Sequence, residues 1–214
     1  MAGAVIVGAG RGIGESVALR FAREGLPVAL IARTDRTVRA VGEAVAQAGG
    51  KAFRFTADCA DERGLRAALD GAIAAVGVPD VVVYNAAVIR SDALGDLSLP
   101  EYLQTWAVNV GGALVTAAHV LPAMVARGSG TYLITGGMPE PKPEYVSLSL
   151  GKAGVRDLVA LLEDAYRPAG IHVASVTIGG AVAPGTAHDP DHIAEHYWRL
   201  HVQAPGEWDR EVVH

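Results

Sequence analysis

A short apolar run at 4–7 leads directly into Gly8-Ala9-Gly10-Arg11-Gly12-Ile13-Gly14, and this turn restricts the possible folds more than any other stretch. Glycines let a chain bend where side chains would block it, and let a bound anion approach the backbone at a helix start. The spacing Gly8-x3-Gly12-x-Gly14, after a β-branched run and before apolar residues three and four apart, predicts strand, turn and helix in that order. A glycine turn can also serve plain strand-to-helix packing, so the rest of the chain has to decide its use.

Strand-like runs recur at 4–7, 28–32, 51–56, 80–84, 131–135 and 172–177. Between them, approximately 12–24, 37–48, 61–76, 100–126 and 147–167 have helical periodicity. The alternation predicts an α/β chain, a single Rossmann-fold domain over 1–214 with a doubly wound parallel sheet. Right-handed crossovers and an opening glycine turn point to the strand order 3-2-1-4-5-6. The segment 178–214 breaks the rhythm: a Gly/Pro-rich stretch, a polar helix near 190–202, and a possible seventh strand at 211–214. We expect 178–210 to form a substrate lid.

Composition narrows the partners. Hydrophobic residues make up 50% and charged residues 19%, as suits a sheet buried between two helical layers. A formal charge of −5 and a pI near 5.8 give no footprint for nucleic acid, and no basic run suggests a membrane surface. No run approaches the ~20 apolar residues of a bilayer-spanning helix. Residues 1–7 read as a strand rather than a targeting segment. Cys59 is the single cysteine, which excludes an intrachain disulfide and fits a reducing, cytoplasmic setting.

Asp58 follows the third predicted strand, Asn85-Ala86-Ala87 the fourth, and Asn109 lies in the fourth predicted helix. With the glycine spacing, these residues resemble the short-chain dehydrogenase/reductase family over nearly the whole chain. The resemblance implies a nicotinamide dinucleotide, a small-molecule substrate and a homodimer or homotetramer. It implies that Gly8, Arg11, Gly12, Ile13 and Gly14 hold the pyrophosphate, and that Asp58, with Cys59 beside it, meets the adenine. Asn85, Ala86 and Ala87 line the cofactor groove, and Gly179, within Ile178-Gly179-Gly180-Ala181, replaces the family's Pro-Gly segment against the carboxamide. Arg33-Thr34 stand at the end of the second strand, where NAD-binding members have an acid. A guanidinium there suits a 2′-phosphate, and with Arg11 it favours NADP(H) over NAD(H).

The family's main branch has Tyr-x3-Lys on the fifth helix and a serine at the end of the fifth strand. Lys152 matches the lysine, but Leu148 stands in the tyrosine's place and has no proton to give. Gly136 stands near the serine, with Thr135 as a partial substitute or an ordinary strand residue. Tyr145, with six residues between it and Lys152, resembles the Tyr-x6-Lys of the enoyl-reductase branch. Seven helical steps keep two residues on one face, about 10 Å apart. Pro143 at a first helical position would put Tyr145 in the opening turn. The resemblance then implies that Tyr145 donates a proton to the substrate oxygen, or else merely caps the pocket. Lys152 would hold the ribose and lower the phenol from its ordinary ~10, and Asn109 would hold a water.

The resulting expectation is NADP(H)-dependent hydride transfer to a carbonyl or activated C=C of a small apolar substrate. Leu148 and Gly136 motivate an alternative, a non-catalytic NADP(H)-binding sensor or inactive subunit. His192-Ile193-Ala194-Glu195-His196 matches a zinc-protease helix, with Glu207, Asp209 or Glu211 to complete it, and motivates a third reading, a metal-dependent hydrolase. His188, before Pro190, falls outside that helix. We expect no metal and a polar helix instead, on which Tyr197 and Trp198 could close over a substrate.

Overall fold

A computed structural model describes residues 3–214; Met1 and Ala2, which the reading above placed in the opening run, lie outside them. The strands are β1 (Ala4–Val7), β2 (Val28–Ala32), β3 (Ala52–Thr56), β4 (Val81–Tyr84), β5 (Gly130–Gly137), β6 (Ile171–Ile178) and β7 (Glu211–Val213). They form one seven-stranded sheet in the order β3-β2-β1-β4-β5-β6-β7, with every neighbouring pair parallel. The helices are α1 (Ile13–Arg23), α2 (Asp35–Gln47), α3 (Glu62–Val76), α4 (Leu99–Trp106), α5 (Gly112–Arg127), α6 (Val146–Tyr166) and α7 (Pro190–His201).

The strands are apolar along their length because both faces are covered. Val5 and Val7 face a core built with α3, α5 and α6, while Ala4 and Ile6 face another built with α1, α2 and α7. Each fully buried Val, Leu or Ile contributes about 1.5–3 kcal/mol, so these layers hold the sheet edges that present the loops. Strand order reverses between β1 and β4, opening a crevice at their C-terminal ends. The glycine turn and the loop after β4 meet there.

Two parts of the sequence reading are corrected. The helix expected over 100–126 is not uniform: α4 and α5 are joined by a π-helical turn at Ala107–Gly111. The composite Leu99–Arg127 has the length and hydropathy of a bilayer-crossing segment, but half of it is buried in the fold. Nor is α7 a polar lid. Its Ile193, Ala194, Tyr197 and Leu200 are buried to within 1% of completeness and pack in the core beside α1. Trp198 lies edge-on to Phe21 and beneath the Arg20 guanidinium rather than over a substrate.

Candidate active site

The four glycines of the turn differ in what they permit. Gly8 has φ 89°, and a Cβ there would lie 2.3 Å from the Ala86 nitrogen. At Gly14 a Cβ would lie 2.3 Å from the Gly8 oxygen. Both positions are closed by backbone, so these glycines seat β1, α1 and the β4 loop together. Gly12 has φ 91° with nothing within 4 Å of the absent Cβ, and no side chain among the described residues caps α1. This leaves an open cradle at the N-terminus of α1, which begins at Ile13, where backbone N–H groups and the helix dipole favour an anion. Asn85 holds the turn from the other side: its Nδ2 donates to the Gly8 oxygen (2.9 Å) and its backbone N–H to Val7 (2.7 Å). Ala86 and Ala87 continue the half-buried wall.

Arg11 and Arg33 are exposed on this side of the crevice, and neither pairs with a carboxylate of the described residues. Thr34 is the N-cap of α2, its hydroxyl accepting from Thr37 N–H (3.2 Å). The nearest following acid, Asp35, is held by Arg39 (2.5 Å). Asp58 is exposed, and its carboxylate accepts from Ala60 N–H (2.9 Å), fixing the turn after β3. Cys59 turns the other way: its side chain is buried in the core, and burial pushes the thiol up to about 11.

At the other end of the crevice Lys152 is 6% exposed, and its Nζ donates to the Thr135 carbonyl (2.6 Å). Burial lowers its pKa to about 8. Leu148 is buried one turn earlier on α6. Two assignments to this end are corrected. A Cβ on Gly136 would strike the Thr177 hydroxyl at 2.3 Å, whereas one on Gly137 would lie 3.5 Å from Lys152 Cε, so Gly137, not Gly136, faces the lysine. The Thr135 hydroxyl is not free to orient a carbonyl, because it donates to Asn85 Oδ1 (2.8 Å) and meets the buried Tyr197 hydroxyl (2.6 Å). The Asn109 side chain clamps Val88 from the loop after β4, its Oδ1 accepting from Val88 N–H (2.7 Å) and its Nδ2 donating to the Val88 oxygen (3.3 Å).

Tyr145 is half-buried and is the N-cap of α6, not part of its first turn; Pro143 lies before the helix. Val146 opens α6 because Asp92, from the loop after β4, bridges to Tyr145 and receives the first helical N–H groups. Gly179 is exposed and donates its N–H to the His214 oxygen (2.9 Å), so β7 reaches the rim of the crevice. Asp92 was missed in the sequence reading, and Tyr197, expected to close over a substrate, meets Thr135 in the core instead. Their partners are 55 and 62 residues distant, and no spacing signals such contacts.

His192, Glu195 and His196 do not converge. Glu195 pairs with Arg20 (2.7 Å) and His196 Nε2 meets His214 Nδ1 (2.9 Å). Among the described residues no three His, Cys, Asp or Glu side chains are arranged to hold a metal ion.

Comparison with known proteins places this geometry. A family model described as short chain dehydrogenase matches residues 2–192. The chain is 32% identical over 215 residues to a glucose 1-dehydrogenase of Gluconobacter oxydans (strain 621H), covering 97% of this chain and 80% of the relative. A glucose 1-dehydrogenase 2 of Bacillus subtilis (strain 168) is 31% identical, covering 86% and 70% respectively. Among solved structures, a metagenomic short-chain oxidoreductase in complex with NADP superposes with a TM-score of 0.89 at 28% identity, covering 99% of this chain and 96% of the other. A short-chain type dehydrogenase/reductase from Mycobacterium marinum superposes with a TM-score of 0.88 at 27% identity, covering 99% and 92%.

Proposed function

Because the chain belongs to the short-chain dehydrogenase/reductase family and is an oxidoreductase of that kind, we propose that it uses NADP(H) for hydride transfer to a carbonyl or activated C=C of a small, mostly apolar substrate. The observation that supports this best is Arg33, an exposed guanidinium at the end of β2 whose nearest following acid is already held by Arg39. A cation in that place suits a 2′-phosphate, and Arg11 adds a second. A family neighbour was solved with NADP, in keeping with the choice. The open cradle above Gly12 suits the pyrophosphate. Lys152 would hold the nicotinamide ribose hydroxyls, with Asn85 and Ala86 as the wall. The bound dinucleotide would supply the hydride.

The proton is the distinctive part of this reading. Leu148 has none to offer and Gly137 no hydroxyl, which leaves Tyr145, at the mouth of α6, and solvent. The same two residues favour a second reading, a non-catalytic NADP(H)-binding subunit. Exposed Leu99, Leu103, Trp106 and Leu114 on α4 and α5 support the homodimer or homotetramer included in the first.

Arg33→Ala is expected to weaken NADPH binding at least about tenfold, within the ~1.5–3 kcal/mol of a charge-assisted hydrogen bond, while leaving NADH within about twofold. Fluorescence titration of both cofactors reads this, and equal losses would remove the NADP(H) preference. Turnover should then be screened across carbonyl and enoyl compounds, glucose included because the curated relatives act on it by name. Tyr145→Phe is expected to lower kcat about 10²-fold, the lower end of general acid–base catalysis, with KM unchanged. An unaltered kcat would exclude Tyr145 as the acid; binding without turnover on every compound would establish the second reading.

A further inference from the structure

Asp92 lies between β4 and α4, in a stretch where Ser91, Ala93 and Leu94 are exposed, yet it is itself 2% exposed. Its carboxylate accepts two hydrogen bonds from one residue of α6: Ser147 N–H to Oδ2 (2.9 Å) and Ser147 Oγ–H to Oδ1 (2.7 Å). Its backbone adds a parallel bridge around Tyr145, with Asp92 N–H donating to Glu144 (3.0 Å) and Val146 N–H donating to the Asp92 carbonyl (3.0 Å). Val146 and Ser147 open α6, so these are N–H groups that a helix start otherwise leaves without partners. The usual place for such an acceptor is the N-cap residue. Here the N-cap is Tyr145, which makes no side-chain cap, and the acceptor comes from 55 residues away.

The other end of the same loop is tied to the cofactor crevice. Asn85 binds the Gly8 oxygen and receives the Thr135 hydroxyl, while Val88 is clamped by Asn109. Asn109 in turn abuts α6, where a Cβ on Gly151, the residue before Lys152, would lie 2.9 Å from its Nδ2. Segment 85–92 thus touches the glycine turn, β5 at the residue whose carbonyl holds Lys152, and the start of α6, and through Asn109 it reaches α6 again at Gly151. A helix capped only by its own chain would form equally well without being fixed to that loop.

We propose that Asp92 is a positioning residue: by capping α6 from the cofactor-side loop it sets where Lys152 stands relative to the nicotinamide ribose. The proposal rests on the dinucleotide reading of the crevice. Displacements near 1 Å from remote changes are enough to impair such a site.

The test compares NADPH with 2′-phospho-ADP, which keeps the adenine, its ribose, the 2′-phosphate and the diphosphate but lacks both the nicotinamide and the ribose that Lys152 would hold. Both are titrated calorimetrically against wild type, Asp92→Ala, Asp92→Asn, Ser147→Ala and Lys152→Met. General loosening weakens the two ligands together, whereas a displaced Lys152 weakens NADPH alone. Lys152→Met and Asp92→Ala are each expected to lower the preference for NADPH about tenfold. Asp92→Asn should restore most of it, since the amide accepts from Ser147 N–H and donates to a reversed Ser147 hydroxyl. Ser147→Ala, which spares the buried acid, should lose about threefold and decides the matter if Asp92→Ala does not fold. A wild-type preference in Ser147→Ala, or an Asp92→Asn protein as impaired as Asp92→Ala, overturns the proposal. Failure of wild type to bind either ligand overturns the cofactor reading, and this proposal with it.

Discussion

A Lys152→Met protein is expected to lose at least about 100-fold in turnover while melting at or above the wild-type temperature at pH 7. The ammonium is buried and among the described residues has one partner, the Thr135 carbonyl. Burial lowers its pKa from 10.5 to about 8, so between those values the unfolded chain binds a proton that the folded chain does not. Stability from this group therefore rises with pH across that window and is lowest below about 8, where the folded protein must keep a desolvated charge. Methionine fills the same volume without the charge, and its advantage in Tm should shrink as pH rises from 8 towards 10.5. Melting curves at pH 7 and pH 10 beside initial rates would check both halves. A variant that is inactive because it is less stable at pH 7 would contradict the argument. A group retained at a cost in stability is what an active site, rather than a core, requires.

The second large effect is predicted for Gly8→Ala. The residue has φ 89°, and the new methyl would lie 2.3 Å from the Ala86 nitrogen and 2.7 Å from the Asn85 carbonyl carbon, all backbone that cannot rotate aside. The conformational penalty of about 1–2 kcal/mol adds to about 1–3 kcal/mol of overpacking. At roughly 2–4 °C per kcal/mol for a chain of this size, Tm should fall by on the order of 10 °C. Cofactor affinity should fall with it, because the displaced loop holds Asn85. Differential scanning fluorimetry with and without NADPH reads both, and a melting point within about 2 °C of wild type would refute the packing role given to Gly8.

Much of the architecture was legible because burial on both faces makes parallel strands into unbroken apolar runs, and β1 and β2 have the bounds their residues suggested. β5 and β6 extend further than read, since Gly136 and Gly137 pair with Thr177 and Ile178 whatever their low strand preference. α7 was misjudged because its buried residues are interleaved with His192, Glu195, His196 and Arg199, and a polar composition concealed a narrow apolar stripe. The half of the crevice built by the glycine turn and the loop after β4 follows from local spacing and was foreseeable. The chemical half was not: whether Thr135 and Asn109 present free polar groups depends on Tyr197 and Val88, which meet them only through the tertiary fold. Spacing identifies which residues lie near a crevice; it does not reveal which hydrogen bonds they have already made.

The π-helical turn at Ala107–Gly111 has a consequence for how this chain can change in length. A π-turn holds one residue more than the α-helical path it interrupts. Deleting one residue there would let the helix close regularly while both halves kept the faces they now present, so Ala113, Ala117 and Leu121 would stay in the core they share with α3 and β4. What would be lost is the wide turn itself, which carries Asn109 to Val88. The extra residue therefore serves the reach of one side chain towards the loop after β4, not the orientation of the two surfaces.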